Sequence, residues 1–192
     1  MLGNDIIDIN ETRRSTNWKR PRFLEKIFTS DEQDIISNSI DPFTTVWRLW
    51  SMKESAYKVF IQTGGNPFFT PTKIECKLNS RINGEVKIDL LKLKTSTSIN
   101  SNYIFSSAIM SDLDISTNIF KLPENRNKQH SEFIYQKIIA DFSKSKTLNP
   151  KELRILKTKD GVPQIYFKNK ELENSLSITH HGNFGAYSIL KN

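Results

Sequence analysis

The sequence has a single cysteine, Cys76, and only three histidines among its 192 residues. An internal disulfide is therefore excluded, and the zinc-finger pattern, which needs several of each residue, is absent. Cys76 lies in an alternating stretch and is expected to be a small buried apolar residue. Long apolar runs are missing as well: none approaches the roughly 20 residues of a membrane span. The N-terminus lacks a basic segment leading into an apolar one, so no secretory signal is expected. The protein is accordingly read as cytoplasmic, with no membrane association. No basic region runs into heptads and no RNA-recognition aromatic motif occurs, so only charge speaks for nucleic acid.

Hydrophobic residues at 36% and charged residues at 26% fit a globular protein with an ordinary core. The length suits one domain, or two small ones sharing a core. The net charge of +7 implies anionic partners: nucleic acid, a phosphorylated cofactor or an acidic protein. Arg13, Arg14, Lys19, Arg20 and Arg22 form the densest basic cluster. It reads either as a solvated loop or as a docking surface for an acidic partner.

Leu2 to Ile9 is a short apolar run rich in isoleucine and reads as a strand. Strand period places Asp5 and Ile7 on one face, Ile6 and Asp8 on the other. Thr29-Ser30-Asp31-Glu32 fits a capping box that opens a helix running to about Ser37. A longer helix is expected from near Phe43 to the Gly64-Gly65 stop. Along it, Leu49, Met52, Ala56, Val59 and Phe60 share one face, while Trp47, Ser51, Glu54 and Lys58 share the other. On spacing alone, Glu54 and Lys58 could be a solvated i,i+4 pair worth about 0.2–0.5 kcal/mol. The tryptophans beside them are unusual on a solvated face.

Lys73–Leu78 and Glu85–Leu90 alternate in the strand manner, with Asn83-Gly84 between them as a hairpin signal. Tyr103–Met110 reads as a buried strand. Pro123, Asn125 and Lys128 mark residues 119–130 as a linker. Ser131–Phe142 is an amphipathic helix with Ser131 as N-cap, and the stretch from Leu148 to Ile155 contains an Asn-Pro that opens a short helix. Gly161-Val162-Pro163 is a turn, and Gln164–Phe167 and Ala186–Leu190 are strands. Strands and helices in this arrangement make an α+β protein.

Trp50-Ser51-Met52-Lys53-Glu54-Ser55-Ala56-Tyr57-Lys58 resembles the W-S-x-K-E-[SA]-x-x-K signature of 4'-phosphopantetheinyl transferases. Gly3-Asn4-Asp5-Ile6 resembles the G-[IN]-D-[IV] signature of the same family. Phe23–Phe28 is similar to the segment that follows it. Gly161-Val162-Pro163 and Ser177-Ile178-Thr179-His180-His181-Gly182 resemble the family's G-K-P and S-I-S-H-[SH]-G motifs. Val162 replaces the lysine that contacts coenzyme A phosphate in the family. Lys157 or Lys159 is expected to substitute.

The resemblance implies transfer of 4'-phosphopantetheine from coenzyme A to a serine of an apo acyl or peptidyl carrier protein, with release of 3',5'-ADP. It implies Mg²⁺ on Asp5 and Glu54, and Lys58 beside the phosphate as the catalytic lysine. Lys53 is the weaker alternative for that contact. Thr179 and His180 join Lys53 and Lys58 as the cofactor-binding set. Glu54, or a metal-bound water, would help deprotonate the carrier serine. The family's third acidic position is Ile7 here, and Asp8 should face away from Asp5, so Asp8 is not expected to be a ligand. Adjacent histidines on an extended chain point to opposite sides, and the motif selects His180 over His181. Fatty-acid, polyketide and peptide-synthesis carriers all fit.

Large members of the family carry G-K-P and S-I-S-H first, then G-[IN]-D and W-S-x-K-E; here the order is reversed. The expected fold is therefore the 4'-phosphopantetheinyl transferase fold as two similar α+β halves forming a pseudo-dimer. Residues 1–118 are the metal-binding half, 119–130 the linker and 131–192 the second half. The protein is expected to act as a monomer, without nucleic acid. A basic nucleic-acid-binding protein, or an inactive scaffold of the same fold, is the alternative.

Overall fold

The structure, a computed structural model, describes residues 1–111, 114–123 and 130–190. Strand β1 (Leu2–Asp8) is buried at every position. Its isoleucines divide between two cores, as a period of two requires. Ile7 joins the cluster formed with Leu49, Met52, Ala56 and Val59. Ile6 packs on the other side against Phe105, Phe184 and Ala186.

Four helices follow: α1 (Ile9–Ser15), α2 (Phe23–Ile27), α3 (Ser30–Ser37) and α4 (Pro42–Gln62). Thr29 and Glu32 form the expected capping box on α3. Asp41 caps α4 through the Thr44 amide, and Pro42 occupies its first turn, where a missing N–H costs nothing. Strands β2 (Ile74–Leu78), β3 (Asn83–Ile88), β4 (Leu91–Ile99) and β5 (Tyr103–Ile109) complete an antiparallel sheet in the order β1-β5-β4-β3-β2. Helix α4 lies across it, buried along the predicted apolar face. Cys76 is buried as expected.

Two local readings of this half are corrected. Asn83-Gly84 does not form the hairpin turn: both residues belong to β3, and Gly84 pairs with Leu78. The turn is the four residues before them. The Asn79 and Ser80 amides donate to the Asn83 carbonyl, and the Ser80 hydroxyl accepts from the Ile82 and Asn83 amides. Strand β4 had no counterpart in the sequence reading, because its outward positions are Lys and Ser and two of its inward ones are Thr.

The second half begins earlier than expected. Residues 115–121 form strand β6 (Ile115–Lys121), which hydrogen-bonds to the last strand of the chain. The expected linker at 119–130 therefore starts inside a strand, and its residues 124–129 lie outside the described residues. Helix α5 (His130–Lys146) starts one residue before Ser131, so Ser131 lies within the helix and is not its N-cap. Strands β7 (Leu153–Lys157), β8 (Pro163–Phe167) and β9 (Lys170–Glu171) form one small sheet. A single 3-10 turn at Pro150–Glu152 stands where the short helix was expected, and β7 takes up the residues after it. Strands β10 (Leu176–His181) and β11 (Phe184–Leu190) join β6 in another, in the order β10-β11-β6. Ile134, Ile138 and Phe142 of α5 fill the core beneath. No helix among the described residues is long and apolar enough to cross a membrane.

Candidate active site

Helix α4 and strand β1 meet unusually closely, and Gly3 is the reason. A Cβ at Gly3 would sit 2.0 Å from the Ser55 carbonyl oxygen and 3.1 Å from Lys58 Cβ. Without one, the helix settles onto the strand. Lys58 Nζ then donates to the Asn4 carbonyl at 2.6 Å. It also donates to the Ile178 carbonyl of β10 at 3.1 Å, so one ammonium joins the two halves.

Asp5 faces the same helix and is buried. Its Oδ1 accepts from the Thr179 hydroxyl at 3.1 Å, while its Oδ2 is buried without a hydrogen-bond partner. Burial raises the Asp5 pKa, against the opposing pull of Lys58 and the Thr179 bond. Glu54 stands one helical turn before Lys58. Burial, reinforced by the charge of Asp5, raises its pKa from 4.5 to about 7. Lys58 is itself lowered, by burial first, although Asp5 and Glu54 favour its charge. Here the expected helix face is not solvated: Trp47 and Ser51 are buried, and Trp47 packs against Phe23 and Phe43.

Strand β10 lies beside β1 without backbone pairing, and its side chains do the bonding. The Leu2, Asn4 and Ile6 amides donate to the hydroxyls of Ser175, Ser177 and Thr179 at 3.1, 3.0 and 3.3 Å. The Asp8 amide donates to His181 Nδ1 at 2.9 Å. Each hydroxyl passes its own proton on: Ser175 to Gln62, Ser177 to Asn4 and Thr179 to Asp5. Alternation along β10 turns His181 toward β1 and leaves His180 exposed on the opposite side. His180 is held below the usual histidine pKa by partial burial of its ring, then by His130, Lys58, His181 and Lys157.

Two of the expected binding residues are engaged within the protein. Lys53 is taken up by contacts inside the protein. It is 1% exposed and paired with Glu32 at 2.8 Å, and it donates to the Pro71 and Ile74 carbonyls. Its position in the helix turns it toward β2, away from Glu54. Thr179 is buried, and its hydroxyl accepts from the Ile6 amide and donates to Asp5, so it orients the carboxylate. Asp8, as expected, is not with Asp5. It caps α1 through the Glu11 amide and accepts from the Asn183 amide at 2.9 Å. Its partner turn needs Gly182, whose φ is +54° and whose Cβ would lie 2.5 Å from Asp8 Oδ2.

One helical turn beyond Lys58, a cleft of about 560 Å³ opens between Gln62 and the second half, lined in part by Thr158, Val162 and Ser175. The position of the missing lysine therefore faces open space. Of its two expected substitutes, Lys157 is near enough to depress both Lys58 and His180. Lys159 lies exposed in the turn. Sequence reasoning missed His130, which it had placed at the end of the linker; only the fold brings its ring to 6.0 Å from that of His180.

No group of three or more His, Cys, Asp or Glu side chains converges among the described residues. The two facing carboxylates nevertheless suit a hard divalent cation. Asp5 Oδ2 lacks a partner, and Glu54 feels the Asp5 charge as repulsion. Mg²⁺ is often held by one or two carboxylates, with phosphate and water completing its shell. The arrangement thus offers a cation site beside a basic face of Lys58, His180 and Lys157, open to an anion.

The matching segment is similar to part of two holo-[acyl-carrier-protein] synthases. It is 37% identical over 57 residues to that of Chlamydia muridarum, covering 30% of this chain and 46% of the relative. It is 34% identical over 58 residues to that of Caldanaerobacter subterraneus subsp. tengcongensis, covering 30% and 45%. The chain thus spans less than half the length of either relative. A family profile reaches further, matching residues 1–114, which hold Asp5, Glu54 and Lys58. By that match over more than half its length, the chain belongs to the 4'-phosphopantetheinyl transferase superfamily.

Proposed function

We propose that the protein transfers 4'-phosphopantetheine from coenzyme A to a serine of an apo acyl or peptidyl carrier protein. The observation that carries this reading is the joining of Asp5, Glu54 and Lys58 to β10 through the bonds of Lys58 to Ile178 and of Thr179 to Asp5. Asp5 and Glu54 would hold Mg²⁺, which supplies charge neutralisation to the pyrophosphate and polarises its phosphorus. Thr179 fixes Asp5 for that task. Lys58 uses two of its three protons on carbonyls and has one left for a phosphoryl oxygen. His180 and Lys157 would face the same phosphates. The serine Oγ forms the new P–O bond as the pyrophosphate P–O bond breaks, and 3',5'-ADP departs with the electron pair. Glu54, or a metal-bound water, would accept the serine proton. Positioning and electrostatics carry most of such a transfer.

Both halves place their first strand next to their last, and the last next to the one before it: β1-β5-β4 and β6-β11-β10. Each half also has its long helix between the first strand and the strands that follow. This supports a pseudo-dimer within one chain, with Asp5, Glu54 and Lys58 from the half built on β1 and His180 from the half that begins at β6. The basic cluster on and after α1, including exposed Arg14, would face the acidic carrier. The test is incubation with apo carrier, coenzyme A and Mg²⁺, read by mass. A phosphopantetheine addition is expected, lost in Asp5→Ala and Glu54→Ala and on chelation, and restored by Mg²⁺. Undiminished transfer by either variant would refute the site assignment.

A further inference from the structure

His130 is an odd residue for its place. It opens α5, a helix of 17 residues, and it is 8% exposed. Its Nε2 is buried with no hydrogen-bond partner among the described residues. An unsatisfied buried nitrogen destabilises the fold, so packing alone would favour an apolar ring here. The imidazole lies edge-on to His180, with centroids 6.0 Å apart and planes at 74°. Two further cations act on that ring, Lys58 from α4 and Lys157 from β7. On its own strand His181 also acts on it. The first amides of a long helix add positive potential at the same place. No carboxylate is among the groups acting on His180. The site gathers positive charge, and one of its ring nitrogens has no partner among the described residues.

We propose that His130 is a second phosphate-binding imidazole of this site, its orphan Nε2 taking a phosphoryl oxygen alongside His180. Which phosphate it takes, a coenzyme A oxygen, rests on the reading above; the anion site itself does not. A small rotation of either ring would open Nε2 to the ligand, and the pair would then share a phosphate that neither holds alone. The proton on Nε2 would come from the imidazole tautomer or from solution, and binding would fix it there.

Titration calorimetry of the full protein with coenzyme A, and separately with inorganic pyrophosphate, tests this. His130→Phe keeps a ring of similar size and removes both nitrogens. Its Kd for coenzyme A is expected to rise about tenfold, as loss of one charge-assisted hydrogen bond implies. His130→Gln restores a donor and should recover part of the loss, which a purely structural role would not predict. In the unmutated protein, pyrophosphate should shift the ¹⁵N resonances of the His130 ring, so the answer does not hang on a variant that folds. Unchanged His130 resonances at saturating pyrophosphate, no binding of pyrophosphate, or equal affinity of His130→Phe would each overturn the proposal. Carrier modification with normal His130→Phe binding removes this inference and leaves the transfer reading standing. Pyrophosphate binding through His130 without carrier modification does the reverse.

Discussion

Replacing Lys53 by methionine separates a structural lysine from a catalytic one within a single motif. The substitution keeps most of the stem and removes the ammonium. Glu32 is then left at 1% exposure without its counter-charge, and the Pro71 and Ile74 carbonyls each lose a donor. Breaking a buried ion pair from one side costs about 3–5 kcal/mol. The Thr29 and Cys76 amides still donate to Glu32 at 2.9 and 2.7 Å and offset part of that. A loss of about 3 kcal/mol is therefore expected. At roughly 2–4 °C per kcal/mol for a chain of this size, Tm should fall by about 6–12 °C. Glu32→Gln combined with Lys53→Met should regain at least about 1 kcal/mol, since no buried charge then lacks a partner. Urea denaturation measures the stability, and calorimetry on the folded fraction measures coenzyme A affinity, which should be unchanged. A variant within about 0.5 kcal/mol of the parent that binds coenzyme A tenfold more weakly would refute the reasoning.

Glu54→Gln should stabilise the metal-free protein at alkaline pH. The folded-state pKa of Glu54 is raised from 4.5 to about 7, so its ionisation opposes folding progressively between those values and fully above them. Thermal melts with chelator should show a Tm gain for Glu54→Gln above pH 7 and none below pH 4.5; an equal effect in both ranges would reject the buried-charge account. Because one chain supplies residues from both halves to the site, the active species is expected to be a monomer. Light scattering at assay concentration checks this, and an obligate trimer with all of the activity would contradict it.

Much of the fold was legible because local rules and global packing agree. The capping box at Thr29 and Glu32, the start of α4 near Phe43 and its apolar face each follow from spacing and were all observed. The hairpin was visible but its turn was misplaced. Asn-Gly favours a tight turn locally, yet the Ser80 hydroxyl and the pairing of Gly84 with Leu78 and Thr95 moved it upstream. Strand β6 was hidden because Ile115-Ser116-Thr117-Asn118 lacks strict alternation, and its hydrogen-bond partner lies at the far end of the chain. At the site, the motifs pointed to Asp5, Glu54, Lys58 and His180. They ranked Lys58 above Lys53 but kept both in the cofactor-binding set, because both lie within the same signature. The separation depends on which element each side chain meets: Glu32 on α3 for Lys53, and Ile178 on β10 for Lys58.

The join between the halves explains why that geometry can be held. Strands β1 and β10 run side by side at a constant offset of 173 residues, seen at Leu2–Ser175, Asn4–Ser177, Ile6–Thr179 and Asp8–His181. Because the bonds run from backbone amides to side chains, only every second residue of β10 can make one. A one-residue slip would turn His180 inward, His181 outward, and take the Thr179 hydroxyl away from Asp5. A slip by two would set Ser177 or His181 against the Ile6 amide in place of Thr179. The one-residue slip would leave the buried Asp5 carboxylate without the Thr179 hydrogen bond, a penalty of about 1–3 kcal/mol. Gly3 adds a second lock by fixing the depth of α4 against the same strand. The residues that make the interface are thus the residues that set the register of the site. This links the G-N-D and S-I-T-H-H-G motifs, far apart in sequence, as two faces of one strand pairing.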